Sequence, residues 1–105
     1  MTLTELVQIL KATGYPVAYS HFNGTPPSIP FITYLEFESS NFHADNKTYQ
    51  RIRNINIELY TDKKDLQAEA TLEALLDEND LPYQTTETYI ESEQLFQKVY
   101  EIGVV

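Results

Sequence analysis

The sequence contains no cysteine, and this absence removes several kinds of chemistry at once. Without a thiol among its 105 residues, the chain has no disulfide, no thiolate nucleophile and no cysteine-ligated metal site. Such a composition fits a reducing compartment. Glycine is also scarce, because Gly14, Gly24 and Gly103 stand alone. The sequence therefore has no glycine-rich loop of the kind that cradles a phosphate group.

Long apolar runs are missing as well. No segment approaches the roughly 20 consecutive apolar residues that span a bilayer. The first residues, Met1 to Glu5, lack the basic start and apolar run of a signal peptide. We therefore expect a protein without a membrane partner, made in the cytoplasm and used there or in a particle assembled there.

Positive charge is scarce and unevenly placed. Seven basic residues stand against sixteen acidic ones, which gives a net charge of −9. This balance argues against direct binding of DNA or RNA, which requires clustered lysine and arginine. Five of the basic residues lie between positions 47 and 64, and none lies between 65 and 93. This polarity suits contact between unlike faces of neighbouring subunits. An acidic surface that only maintains solubility is the alternative reading.

The titratable residues do not form a recognisable catalytic or metal-binding pattern. The histidines are His21, in a predicted strand, and His43, in a polar segment with Asp45. Two candidate ligands are too few to define a metal site. The stretch from Asp77 to Asp80 has the composition of a calcium loop but lacks the glycine and the distal glutamate at the required spacing. We predict no catalytic residue, no metal and no cofactor, and hence no enzymatic activity.

The remaining residues predict a folded α+β protein that forms one domain over residues 1–105. The hydrophobic content of 42% is typical of a globular protein. Thr2 and Glu5 form a capping box at the start of a helix that ends near Gly14. A second helix is predicted from Leu66 to about Asn79. Strands are predicted at residues 17–22, 31–38, 49–60, 85–90 and 96–105.

This order, α-β-β-β-α-β-β, predicts a mainly antiparallel sheet of four to five strands with two helices packed on one face. The clearest alternation is in residues 54–60, where Ile55, Ile57 and Leu59 share the buried side. In residues 31–38, we assign Phe31, Leu35 and Phe37 to the core. The alternating set that includes Tyr34 is assigned to the partly solvent-exposed face of the sheet. The hairpin that joins these strands is expected to extend past the core and to end in a polar tip.

Tyrosine is abundant, with eight residues, and several fall where an association surface would lie. Tyrosine combines a large apolar area with a hydroxyl group and is enriched at interfaces. Strand-favouring residues on a solvated sheet are the alternative explanation. Tyr34 and Tyr60 are predicted on the partly solvent-exposed face of the sheet, and Tyr49 is predicted near the end of the hairpin. With the hairpin residues, they make up the candidate subunit interface: Tyr34, Phe42, Tyr49, Arg51, Arg53 and Tyr60.

The arrangement of these elements resembles the tail-completion and tail-terminator proteins, the head–tail joining group of long-tailed bacteriophages and prophages. The resemblance covers nearly the whole chain and rests on structural motifs. They are the first helix, the proline-rich loop before Phe31, and the strand Asn54 to Thr61 that leads to the start of the second helix at Lys63, Lys64 and Asp65. The closing stretches are Tyr89 to Glu93 and Tyr100 to Ile102.

The resemblance implies a small α+β virion protein without enzymatic activity. Such proteins form a ring, typically six-fold, that caps the tail tube and docks to the head connector. It implies self-association, with the tail-tube protein and head-connector proteins as partners, and a location at the head–tail interface of the virion. The hairpin from Phe42 to Arg53 is the segment expected to form subunit contacts.

Two other functions fit the composition. A small acidic inhibitor that mimics DNA would act on a host protein, although the basic residues at positions 47–64 interrupt a continuous acidic surface. A small-molecule-binding or regulatory α+β module would need a concave apolar pocket. The sequence does not point to such a pocket.

Overall fold

A computed structural model describes the backbone of residues 1–44 and 47–105, and the side chains of residues 1–37 and 52–105. The elements follow the predicted order α-β-β-β-α-β-β. They are α1 (Leu3–Lys11), β1 (Val17–Tyr19), β2 (Phe31–Ala44), β3 (Lys47–Thr61), α2 (Leu66–Glu78), β4 (Gln84–Ile90) and β5 (Leu95–Val104). In the described part of the chain, neither helix has the length and apolar character needed to cross a membrane.

Local sequence explains where the helices begin and end. The Thr2 hydroxyl accepts a hydrogen bond from the Glu5 backbone N–H at 3.2 Å, and the Glu5 carboxylate accepts one from the Thr2 backbone N–H at 3.3 Å. This reciprocal capping box is the predicted one. After α1, Gly14 adopts a φ of +85°, which a residue with a side chain rarely adopts. The Asp65 carboxylate caps α2 by accepting from the Ala68 N–H at 3.0 Å.

The strands form one mixed sheet in the order β1-β2-β3-β5-β4. β1 lies parallel to β2, and the other neighbours are antiparallel, which confirms the α+β class with a mainly antiparallel sheet. β1 is shorter than predicted. Ser20, with a φ of +67°, ends the strand there, and its N–H donates to the Tyr34 carbonyl at 2.8 Å.

Both helices pack on the same face of the sheet. Leu6 and Leu10 of α1 and the buried side of α2 meet the apolar residues of the central strands. Ile55, Ile57 and Leu59 are all buried there, as the alternation predicted. The fully buried side chains that dominate this layer are Leu6, Leu10, Ile32, Ile55, Ile57, Leu59, Leu72, Leu76 and Tyr100. The other side of the sheet, called the open face below, is covered by neither helix.

The predicted orientation of β2 is wrong. The register places Ile32 beside Leu59 and Tyr34 beside Ile57, so these two residues point to the helices. Phe31 points instead to the open face, where the Phe22 and Tyr60 rings bury it to 9% exposure, and Phe37 is 44% exposed. The error has a physical cause, since both alternating sets of β2 contain large apolar residues. Pairing with β3 decides which set faces the helices.

The hairpin formed by β2 and β3 extends beyond the end of the neighbouring strand β5. β3 pairs with β5 over its residues Arg53 to Thr61, and the last pair toward the hairpin end joins Arg53 to Val104. Pairing of β2 with β3 continues from Ser40 and Ile52 to Ala44 and Lys47. β2 therefore continues through residues 39–44, beyond the predicted end of the strand at residue 38. We call residues 40–44 and 47–52 the hairpin arm.

Candidate functional site: the hairpin arm and the open face

Three predicted interface residues, Phe42, Tyr49 and Arg51, belong to the hairpin arm. Their side chains lie outside the described residues. Their backbone positions are clear from the register, which pairs Phe42 with Gln50 and Asn41 with Arg51. A register shift between Phe42 and His43 leaves Tyr49 as the additional residue on β3. The backbone therefore brings these three residues onto one two-stranded ribbon.

Arg53 lies at the base of the arm and is already engaged within the chain. Its Nη1 donates to the Glu36 carboxylate at 3.0 Å, across β2 and β3. The Arg53 side chain is 41% exposed, so it also reaches solvent. An exposed ion pair of this kind contributes roughly 0–1 kcal/mol. The pair therefore fixes the orientation of the Arg53 side chain more than it stabilises the fold.

Tyr34 and Tyr60 lie on opposite faces of the sheet. Tyr34 packs against the helix-covered core and meets the Tyr19 ring edge-on, with 5.1 Å between ring centroids. This position corrects the prediction that Tyr34 lies on the partly solvent-exposed face of the sheet. Tyr60 lies on the open face, as expected, and stacks on Phe31 at 4.8 Å. The six predicted interface residues therefore do not form one patch, because Tyr34 and Tyr60 are separated by the sheet.

The open face carries an aromatic groove around Tyr60. The Phe31 ring stacks on Tyr60 and receives the edge of Phe22 at 5.4 Å. The groove has a volume of about 330 Å³, and Pro26 and Pro27 of the loop before β2 also line it. Sequence reasoning missed this groove because Phe31 had been assigned to the core.

A hydrogen-bond chain crosses the open face beside the groove. Thr33 donates to the Glu58 carboxylate at 2.7 Å, and Gln97 donates to the same carboxylate at 3.1 Å. Gln97 also donates to the Tyr60 hydroxyl at 2.9 Å. This chain joins β2, β3 and β5 through their side chains. It fixes the position of the Tyr60 hydroxyl and places polar side chains next to the aromatic groove.

A second polar network lies on the helix-covered side, between α2 and β5. Lys98 donates to Glu69 at 2.8 Å, and Lys64 donates to the other oxygen of Glu69 at 2.9 Å. Burial alone would raise the pKa of Glu69, but the hydrogen bonds from both lysines outweigh it and lower this pKa. The buried Tyr100 hydroxyl donates to Glu73 at 2.7 Å. Burial and this hydrogen bond raise the pKa of Tyr100 far above its usual value.

This network fixes α2 on the sheet, and it was not predicted. Its only signal in the sequence was Lys98, a lysine on the same strand face as Tyr100 and Ile102. Among the residues that the structure describes, no group of three or more histidine or carboxylate side chains is placed to hold a metal ion. His21 is exposed, and its Nδ1 lies 3.1 Å from the Ser20 hydroxyl. The His43 side chain lies outside the described residues.

The fold described above defines a class: a five-stranded mixed sheet with two helices on one face. No family model matches the sequence, and no curated protein matches it. Among solved structures, a chain of the "Virion of native gene transfer agent (GTA) particle" is similar to this chain with a TM-score of 0.72. The similarity covers 97% of this chain and 92% of that chain, at 13% sequence identity. It establishes a shared fold.

Proposed function

We propose that this chain is a non-enzymatic structural protein of a phage or phage-like virion, and that it completes the tail at the head–tail joint. The observation that carries the proposal is the fold shared with a chain of a gene transfer agent virion, over 97% of this chain and 92% of the other. The similarity spans nearly the full length of both chains, so the shared fold is not limited to one part of the sheet. On this proposal the protein is made in the host cytoplasm and ends in the virion.

In this role, the chain forms a ring at the end of the tail tube and docks to the head connector. The ring is expected to contain six copies. The hairpin arm supports this proposal because it extends from the sheet as a two-stranded ribbon. An isolated two-stranded ribbon is marginal in water, so an arm of this length gains stability from a neighbouring surface. Phe42, Tyr49 and Arg51 on the arm, with Arg53 at its base, are the proposed contact residues.

The open face supplies a second surface of the kind that protein partners use. Aromatic residues around a groove, with polar groups fixed beside them, are typical of the centre of an interface. Tyr60 is the predicted interface residue in this groove. Tail-tube and head-connector proteins are the proposed partners for the surfaces that remain after ring closure.

The test is the solution mass of the purified chain over a wide concentration range, alone and with isolated tails. Light scattering after size exclusion should show a closed oligomer, or an oligomer that forms when tails are added. Arg51→Glu should weaken this assembly, whereas Lys11→Glu, at the end of α1, should leave it unchanged. A chain that stays monomeric with and without tails would exclude tail completion.

A further inference from the structure

The aromatic groove of the open face combines apolar rings with negative charge. The rings of Phe22, Phe31 and Tyr60 line it, and Glu93 lines it from the turn between β4 and β5. Apart from His21, no residue that lines the groove in the described part of the chain can carry a positive charge. The groove therefore contains no lysine or arginine of its own chain among the described residues.

Glu58 lies beside the groove and has no cationic partner among the described residues. Thr33, which lines the groove, donates to its carboxylate at 2.7 Å, and Gln97 donates at 3.1 Å. Both donors are neutral. A carboxylate has about four acceptor positions, so roughly two of them remain open for a further donor.

This lack of a cation sets Glu58 apart from other glutamates of the sheet and α2. Four of them are bonded to lysine or arginine: Glu36, Glu69, Glu73 and Glu87. Glu58 is partly buried, and a carboxylate that is partly removed from water is stabilised by a charged donor. The open positions of Glu58 are therefore suited to a cation from another molecule.

Aromatic rings beside carboxylates suit an arginine side chain better than a lysine. The planar guanidinium group stacks on aromatic faces, donates in parallel to a carboxylate, and is more weakly hydrated than an ammonium group. The groove and the neighbouring Glu58 together offer both kinds of contact.

The sequence of this chain supplies such an arginine on the hairpin arm. The two arginines are Arg51 and Arg53, and Arg53 is bonded to Glu36 within the chain. Arg51 belongs to the arm, and the segment 40–52 carries Lys47 and Arg51 against Asp45. In a chain with a net charge of −9, this segment has the charge that complements the groove.

The arm and the groove lie at opposite ends of the hairpin formed by β2 and β3. The strand from Arg51 to Tyr60 is about 30 Å long when extended. β3 pairs with β5 from Arg53 to Thr61 without a register shift, so it does not fold back on itself. An arm therefore does not reach the groove of its own chain, whereas a second copy placed head to tail can bring its arm there.

We propose that the aromatic groove of one copy binds the hairpin arm of a second copy, with the Arg51 guanidinium group between the groove rings and the carboxylates of Glu58 and Glu93. Such a contact is heterologous, so its repetition can close into a ring. The proposal deepens the proposed function, because it names the surface that receives the arm, and it rests on that function for ring closure. The contact between two copies can be tested on the chain alone.

The first experiment compares Glu93→Lys with Glu91→Lys in self-association, measured by light scattering over a concentration range. Both glutamates are exposed in the same turn, but Glu93 lines the groove and Glu91 does not. Glu93→Lys should weaken self-association by roughly tenfold or more, and Glu91→Lys by less than about threefold. Equal effects would overturn the proposal, because charge at long range would then control assembly.

A double-mutant cycle tests the contact between Arg51 and Glu58. Arg51→Gln and Glu58→Gln each remove one charge and should each weaken self-association by roughly tenfold. If the two side chains meet, the double variant should lose little more than either single variant. Fully additive losses would overturn the contact. If Glu58→Gln lowers the melting temperature, the same cycle is measured with Glu93→Lys.

Mixing two defective chains shows whether the arm of one copy enters the groove of another. One chain carries Lys47→Glu with Arg51→Glu, and the other carries Glu93→Lys. Neither should assemble alone, but together they should form a one-to-one dimer through the one intact arm and the one intact groove. Absence of a mixed dimer well above the concentration at which the wild-type chain assembles would overturn the proposal.

The compound N-acetyl-arginine amide tests the chemistry of the groove directly. It should shift the ring resonances of Phe31 and Tyr60 and inhibit self-association, whereas the uncharged N-acetyl-citrulline amide should do neither. If the arginine compound shifts these resonances but Arg51→Gln assembles as wild type, the groove binds an arginine of another protein and the proposal is overturned. A wild-type chain that never self-associates, alone or on tails, overturns it as well.

These outcomes remain distinct from the failure of the proposed function. If the mixed dimer forms but the assembled chain does not bind tails, the tail role fails and the contact between arm and groove stands. If the chain caps tails while the Arg51 and Glu93 variants assemble as wild type, the contact fails and the tail role stands.

Discussion

The hydrogen bond between Tyr100 and Glu73 gives the sharpest stability prediction. Tyr100 is fully buried on β5, and its hydroxyl lies 2.7 Å from the Glu73 carboxylate on α2. The substitution Tyr100→Phe keeps the ring in the core and removes only the hydroxyl. It therefore isolates one contact between the helix and the sheet.

The expected loss follows from the kind of hydrogen bond that is removed. A hydrogen bond to a charged group contributes about 1.5–3 kcal/mol. Glu73 is 29% exposed and lies 3.4 Å from Lys98, so water and the lysine partly replace the lost donor. We therefore expect Tyr100→Phe to lower the free energy of unfolding by about 1–2 kcal/mol. For a domain of this size, the melting temperature should fall by roughly 4–16 °C.

Urea unfolding followed by circular dichroism measures this difference, and a double-mutant cycle with Glu73→Ala assigns it to the pair. Tyr83→Phe is the matched control. The Tyr83 ring meets Tyr100 edge-on at 5.3 Å, but its hydroxyl makes no hydrogen bond within the described part of the chain. The control should change stability by less than about 0.5 kcal/mol. Equal losses for both variants would refute the argument, because the effect would then not depend on the Glu73 bond.

The same substitution should also change how stability depends on pH in the alkaline range. The pKa of Tyr100 is raised in the folded state, mainly by burial and then by the bond to Glu73. The folded chain therefore holds the phenol proton more tightly than the unfolded chain. The protonated phenol therefore adds to the free energy of unfolding, fully at pH values below the unfolded-state pKa of about 10, and this added stability is lost as the pH rises above that value. In Tyr100→Phe, stability should fall less steeply above this pH.

Three further predictions concern the fold. Leu72→Ala, in the core, should cost about 2–5 kcal/mol in urea unfolding, whereas Leu66→Ala, 70% exposed at the start of α2, should cost less than about 0.5. Thr2→Ala removes the capping box and should cost about 0.5–2 kcal/mol, with Thr4→Ala as the control; equal costs would contradict the cap. The pKa of Glu69 is lowered in the folded state, so its ionised carboxylate adds to the free energy of unfolding above its usual pKa of 4.5. This added stability is lost as the pH falls through the pKa of the folded state. Glu69→Gln should therefore lose stability less steeply on acidification, and an unchanged slope would exclude this role.

The predicted interface residues show how far sequence reasoning reached. The hairpin residues were grouped correctly on one ribbon, because their grouping depends only on neighbouring positions along two paired strands. Tyr34 and Tyr60 were grouped incorrectly, because they belong to different strands whose relative orientation a single sequence does not contain. The aromatic groove also depends on four segments that are separate in the sequence: the loop before β2, β2 itself, β3 and the hairpin that joins β4 to β5.

What the sequence determined by itself was local. The capping box of Thr2 and Glu5 and the alternation of Ile55, Ile57 and Leu59 act over a few residues, so their structural consequences can be read directly. Tertiary structure decided what depends on distant partners. β2 has apolar residues on both faces, and only its register with β3 turns Ile32 to the helices. Lys98 can lie on an apolar strand face because α2 brings Glu69 to it. A polar residue becomes tolerable in the core only when folding supplies its partner.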